Sequence, residues 1–264
     1  MVDQIPALFG RVDPAAWSAE ILSISGIHAT VTGVLAGFSI AVVVLLATLE
    51  ERHQVTRDQN LLKQVTIGVF LVSFIGYIST ATLYTVVVEP ESAQQKYFLY
   101  AAASSLYHFS SVLAFLGLYP LFEIVMLHLL KTVATITLFG AVFGGFSAAA
   151  IPYQDLLRIR LVWIFSCLLV AAVVSVVALK ICRRGQRSLL HDFPRVLYAS
   201  CALIIIVFTM GMLMFFAPWR DIWERYLPIV ALGILFASTV LSLFVPLFML
   251  TAIRGAGSGP RMIR

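Results

Sequence analysis

The sequence predicts an all-α integral membrane protein: a bundle of seven transmembrane helices, N-terminus outside and C-terminus cytoplasmic. Three observations carry that expectation. The 264-residue chain is 61% hydrophobic and 12% charged, with mean hydropathy +0.97, whereas soluble domains carry about 25% charged residues. Seven apolar runs, at 26–49, 64–88, 98–122, 132–152, 160–181, 195–217 and 227–251, each approach or exceed the ~20 residues that a bilayer core demands. The stretches after the first, third, fifth and seventh runs, with Lys180 and Arg195 at the ends of the runs beside them, hold 12 of the 18 Lys and Arg, so the positive-inside rule sets the N-terminus outside. The net charge of +5 is therefore a record of topology, and no nucleic-acid partner is expected. Reporters fused to the two ends check the orientation; both reporting from one side would remove the seven-span arrangement.

Residues 1–25 read as an outer interfacial segment. They lack the basic start and cleavage site of a signal peptide. Asp13-Pro14 has the form of an N-cap followed by proline at the first helical position. Trp17, Ile21 and Ile24 then recur at helical spacing, predicting a short helix lying in the interface. A seven-helix domain spans 26–253, and 254–264 is a flexible, basic cytoplasmic tail. All four tryptophans (Trp17, Trp163, Trp219 and Trp223) fall on the predicted outer side, half of an aromatic belt.

The first run carries Ala29, Gly33, Gly37 and Ala41 at i+4 spacing, a seam along which a neighbouring helix backbone can approach. The fourth repeats it with Gly140, Gly144 and Ala148, and Gly145 adjoins. Packing within the bundle is the expected use of both. In the second run Ser73, Tyr77, Thr80 and Tyr84 form a polar stripe. The short connection 89–96 makes the second and third runs antiparallel neighbours. The third aligns Ser104, His108, Ser111 and Tyr119, with Ser105 beside them. Polar groups cannot face lipid without a cost of several kcal/mol, so the other helices must cover this stripe. The chain turns around Pro120–Lys131, where Glu123 and Lys131 form a polar pair of positions at the cytoplasmic end. Residues 180–195 are the most basic stretch and could draw anionic lipid head groups. Arg220–Glu224 and Asp221–Arg225 pair at i, i+4 in a second short interfacial helix on the outer side.

The chemistry-bearing patterns are few. A retinal Schiff base needs a lysine midway along the last run, and 227–251 contains none. Ser104-Ser105-Leu106-Tyr107-His108 resembles the Ser-x-x-x-His element of the membrane hydrolases related to alkaline ceramidases and adiponectin receptors. That resemblance implies zinc held by three histidines and an aspartate, but the chain has no His-x-x-x-His and no aspartate in a membrane core. Paired haem ligands would need equal depth, yet His28 sits near the outer end of the first run and His108 about 15 Å into the third. No nucleotide loop, Cys-x-x-Cys or His-Glu-x-x-His is present, so no catalytic residue, cofactor or metal is assigned. The three cysteines read as free thiols.

The leading functional expectation is binding or translocation of a small ligand or ion. It places a polar pocket between the second and third runs, bordered by Tyr77, Thr80, Ser104, His108 and Ser111. The alternative is a structural or assembly subunit of a larger membrane complex, or a homo-oligomer, with the stripes serving to hold helices together. An intramembrane enzyme comes third. The expected location is a cell membrane, the bacterial cytoplasmic membrane or its equivalent.

Overall fold

The computed structural model describes residues 14–48, 57–88, 93–124, 128–157, 170–175, 177, 192–216 and 220–257. Among them all regular structure is helical: α1 (Pro14–Thr48), α2 (Arg57–Val86), α3 (Ala93–Ile124), α4 (His128–Leu157), α5 (Phe193–Phe216) and α6 (Arg220–Gly257). Five are long and apolar enough to cross a membrane, over Ile21–Thr48, Asn60–Val86, Gln95–Phe122, Phe193–Leu213 and Ile229–Ala252. The protein is therefore a helical, multi-pass membrane protein. The fourth expected run, 132–152, lies within α4. Most of the fifth, 160–181, lies outside the described residues. Its helical piece 170–175 touches α6 through Ser175 Oγ, which donates to Val240 O at 3.2 Å.

Proline at the start of α1 fits its missing N–H, which no helical first turn needs. The helix then runs unbroken to Thr48, so the expected interfacial helix and the first span are one element. Likewise α6 begins at Arg220 and includes the second expected interfacial segment. Pro120 lies inside α3, one turn from its end, and lacks the N–H that would bond the Leu116 carbonyl.

α3 is the axis of the molecule: it packs against every other described helix, with α2 and α4 on its flanks. Its sequence explains this. Ala101, Ala102 and Ala103 in succession leave backbone on all sides for neighbours to approach, and Phe98, Leu106, Phe109, Val112 and Leu116 fill between them, all buried. The outer helices show the reverse pattern. Val34, Ile136, Ile206 and Ile229 stand more than half exposed around the bundle, as suits side chains solvated by lipid.

The glycine seams behave differently from expectation. No described atom lies within 4 Å of a Cβ built on Gly33, Gly37, Gly140 or Gly144. The close approaches occur instead at Gly68, Gly76, Gly117, Gly145 and Gly211, most tightly at Gly76 and Gly145. A Cβ on Gly76 would overlap Ser110 Oγ of α3, and one on Gly145 would overlap His108 Nδ1. Small residues at i+4 permit a backbone to come near; the neighbours of α3 decide where one does.

Candidate functional site

The two polar stripes meet. Ser73 Oγ donates to Ser110 O at 3.0 Å, and Tyr77 OH donates to Ser111 Oγ at 3.1 Å. The hydroxyls of Tyr84 and Ser104 lie 3.1 Å apart. Each tyrosine spans from α2 to a serine of α3, so an antiparallel register is written in side chains: Tyr77 with Ser111, Tyr84 with Ser104. Thr80, between them, returns its hydroxyl to Gly76 O of its own helix at 2.8 Å. Interhelical hydrogen bonds of this kind contribute about 0.6 kcal/mol each in membranes. Three of them set register more than they hold the helices together.

Above this ladder a third helix contributes a ring. His28 of α1 lies nearly parallel to Tyr107 (6.1 Å between ring centres, 9° between planes) and to Tyr100 (6.2 Å, 14°). Tyr100 and Tyr107 are two helical turns apart on α3, about 10.5 Å along the axis, and the imidazole sits against both. The ring of Tyr84 meets His28 edge-on at 5.1 Å, the geometry that aromatic quadrupoles favour. Tyr77 and Tyr107, and Tyr84 and Tyr100, are in tilted contact at 6.2 and 5.6 Å. The cluster thus joins α1, α2 and α3 through one imidazole and four phenols.

Its hydrogen-bonding capacity is unevenly used. Tyr77 and Tyr84 are buried and bonded to serines, which fixes their rings. Among the described residues, Nδ1 of His28 is buried with no partner. The Tyr100 and Tyr107 hydroxyls make no hydrogen bond to the described residues. One buried imidazole nitrogen with no described partner therefore sits among the rings of Tyr84, Tyr100 and Tyr107.

Of the expected pocket residues, Tyr77, Ser104 and Ser111 come together here, with Thr80 behind them. His108 does not face α2. Its ring, 3% exposed, lies on the α4 side of α3 against Gly145, and neither nitrogen has a hydrogen-bond partner among the described residues. The Ala141 carbonyl is beside the ring without the geometry of a hydrogen bond. His108 leaves α3 toward Gly145 of α4, whereas His28 comes from α1 onto Tyr100 and Tyr107, so the two imidazoles belong to different contacts. Glu123 and Lys131 fall on the last turn of α3 and the first of α4, and their side chains lie outside what is described.

The stripe pattern could not reveal His28, Tyr100 and Tyr107, since their meeting depends on how α1 leans on the other two helices. The available signal was Tyr100 and Tyr107 at i, i+7, one on either side of Ser104 in the chain. A cavity of about 310 Å³ lies elsewhere, between α2 and α5. No protein-family model matches the chain, and neither the curated proteins nor the solved structures contain a match to it.

Proposed function

We propose that this membrane protein binds a small ring-bearing ligand at the α1–α2–α3 junction, from the outer side of the membrane. The observation that carries the reading is His28 Nδ1, buried without a partner among the described residues, in a ring stacked on Tyr100 and Tyr107. A flat ligand bearing hydrogen-bond acceptors would stack on the phenol faces and accept from both hydroxyls. Tyr77 and Tyr84, held by Ser111 and Ser104, would serve as fixed walls, the rigid support that keeps a site's geometry.

Two measurements test this without the ligand being identified first. Tyr100→Cys and Tyr107→Cys, placed singly in a chain lacking Cys167, Cys182 and Cys201, should react with small membrane-impermeant maleimides added outside. A thermal-shift screen of small aromatic ketones and quinones should yield compounds that stabilise the native chain and not His28→Ala or Tyr107→Phe. Full protection of both cysteines, with no compound separating native from variants, would end this reading.

A second reading, a subunit of a larger membrane complex, draws on a different observation. The α2–α3 hydroxyls are satisfied by each other, as helix-joining groups are, and the Gly33–Gly37 seam of α1 has no described neighbour. Under that reading the purified chain would carry partner proteins; a monodisperse single chain would count against it.

A further inference from the structure

We propose that the groove between α2 and α5 binds an anionic phospholipid of the leaflet where those two helices begin. One acyl chain would lie along the groove, with the phosphate at Arg195. By the distribution of basic residues that leaflet is the cytoplasmic one.

The shape comes first. The groove holds about 310 Å³, at the lower end of the range for ligand sites. Its walls are almost wholly apolar, from Leu61, Val65 and Leu71 on α2 to Pro194, Leu197 and Cys201 on α5. It is open to the bilayer: Leu71 is 38% exposed and Tyr198 74%. Gly68 lets Leu197 come close and form its floor, since a Cβ there would overlap the leucine.

Length then selects the occupant. The wall on α2 runs from Leu61 to Val72, eleven helical steps and so about 16 Å at 1.5 Å per residue. Half of a bilayer's ~30 Å hydrocarbon core is about 15 Å. The groove is thus one leaflet deep, the span of a single acyl chain from its head group inward.

Charge selects the head group. Both walls start from the basic end of their helices. Lys63 stands between lining residues Leu61 and Gln64, and Arg195 follows Pro194 with its side chain 81% exposed. The stretch 180–195 contains five basic residues and one acid, Asp192. That acid pairs with Arg195 at 2.8 Å, an exposed pair that contributes little and leaves the guanidinium able to take a phosphate in two parallel hydrogen bonds. Each basic residue near an anionic surface is worth about a five-fold preference.

The experiment uses the full chain, purified and reconstituted in nanodiscs of equimolar phosphatidylglycerol and phosphatidylcholine. Native mass spectrometry then reads the ratio of the two lipids retained. Phosphatidylglycerol should be enriched, and Arg195→Gln should lower that enrichment by about five-fold. Asp192→Asn should raise it, because the neutral amide no longer holds the guanidinium in an ion pair. Leu71→Trp, filling the groove from its exposed edge, should lose both lipids. In a chain keeping only Cys201, alkylation by N-ethylmaleimide should be slower in phosphatidylglycerol discs than in phosphatidylcholine discs. If the Arg195 and Asp192 variants leave the lipid ratio unchanged, or Cys201 reacts equally fast in both, the groove is an ordinary crevice in a lipid-facing wall. Both charge variants lie on the surface, so the test survives even if Leu71→Trp does not fold.

Discussion

Gly76→Leu should abolish the folded protein. Position 76 lies on the buried face of α2, where an added Cβ would fall on Ser110 Oγ, 3.1 Å from Ser110 Cβ and 3.2 Å from Ile204 Cδ1. The hydroxyl and the Ile204 Cδ1 methyl could swing away, but Ser110 Cβ could not, and a leucine would have to displace α3, against which α1, α2, α4, α5 and α6 all pack. Gly76→Ala is the graded form. Overpacking of this size costs about 1–3 kcal/mol, and it should also stretch the bond from Ser73 to Ser110 O, which shares the contact. The cause is separable. Ser110→Ala in the Gly76→Ala background removes the overlapping oxygen and should recover part of the loss; Ser110→Gly removes the facing Cβ as well and should recover more. Gly33→Leu, with no described atom near it, is the control and should leave the purified chain's unfolding in detergent unchanged. Equal damage at Gly33 and Gly76 would mean that α1 is seated against something this packing does not include.

That contrast marks where the sequence was legible. The hydroxyl stripe of α2 is a one-dimensional pattern, and Ser73, Tyr77, Thr80 and Tyr84 were bound to share a face once the segment was helical. A short connection to the next helix then made a meeting of stripes the economical arrangement, and three side-chain bonds join them. Register is another matter. Pairing Tyr84 with Ser104 depends on the turn and on the bulk of Ala101–Ala103, which no period encodes. The seams failed for a related reason. Gly33 and Gly37 form a regular i+4 pattern that nothing described uses, while Gly76, outside any seam, makes one of the closest contacts. Spacing reports what a helix face would tolerate; the neighbour is chosen by all the helices together. The His28 cluster lies furthest from the sequence, since three helices must close before its rings meet. Membrane class was legible from composition because lipid selects it residue by residue, without reference to packing.

His108→Leu should stabilise the fold. The imidazole is 3% exposed, both its nitrogens lack partners among the described residues, and the space it occupies on α4 exists because residue 145 is glycine. A buried polar group left unbonded costs about 1–3 kcal/mol, whereas an apolar side chain of similar bulk would keep the contacts without that penalty. The gain should appear as greater resistance to denaturing detergent, read on the purified chain. Gly145→Ala tests the same contact from the other side. In the native background its Cβ would run into the ring, and the cost should be about 1–3 kcal/mol. In a His108→Ala background, where the ring is gone, the same change should be close to neutral. That difference, taken as a double-mutant cycle, isolates the contact from the effects of either substitution alone. A stabilised His108→Leu protein would show that the imidazole is kept at the expense of stability. Its two nitrogens would then be the place to look for a role in whatever the molecule binds, because packing alone prefers leucine. A destabilised His108→Leu protein would overturn this account, placing a water or another polar partner on the nitrogens and making the histidine part of the bond network that holds α3 to α4.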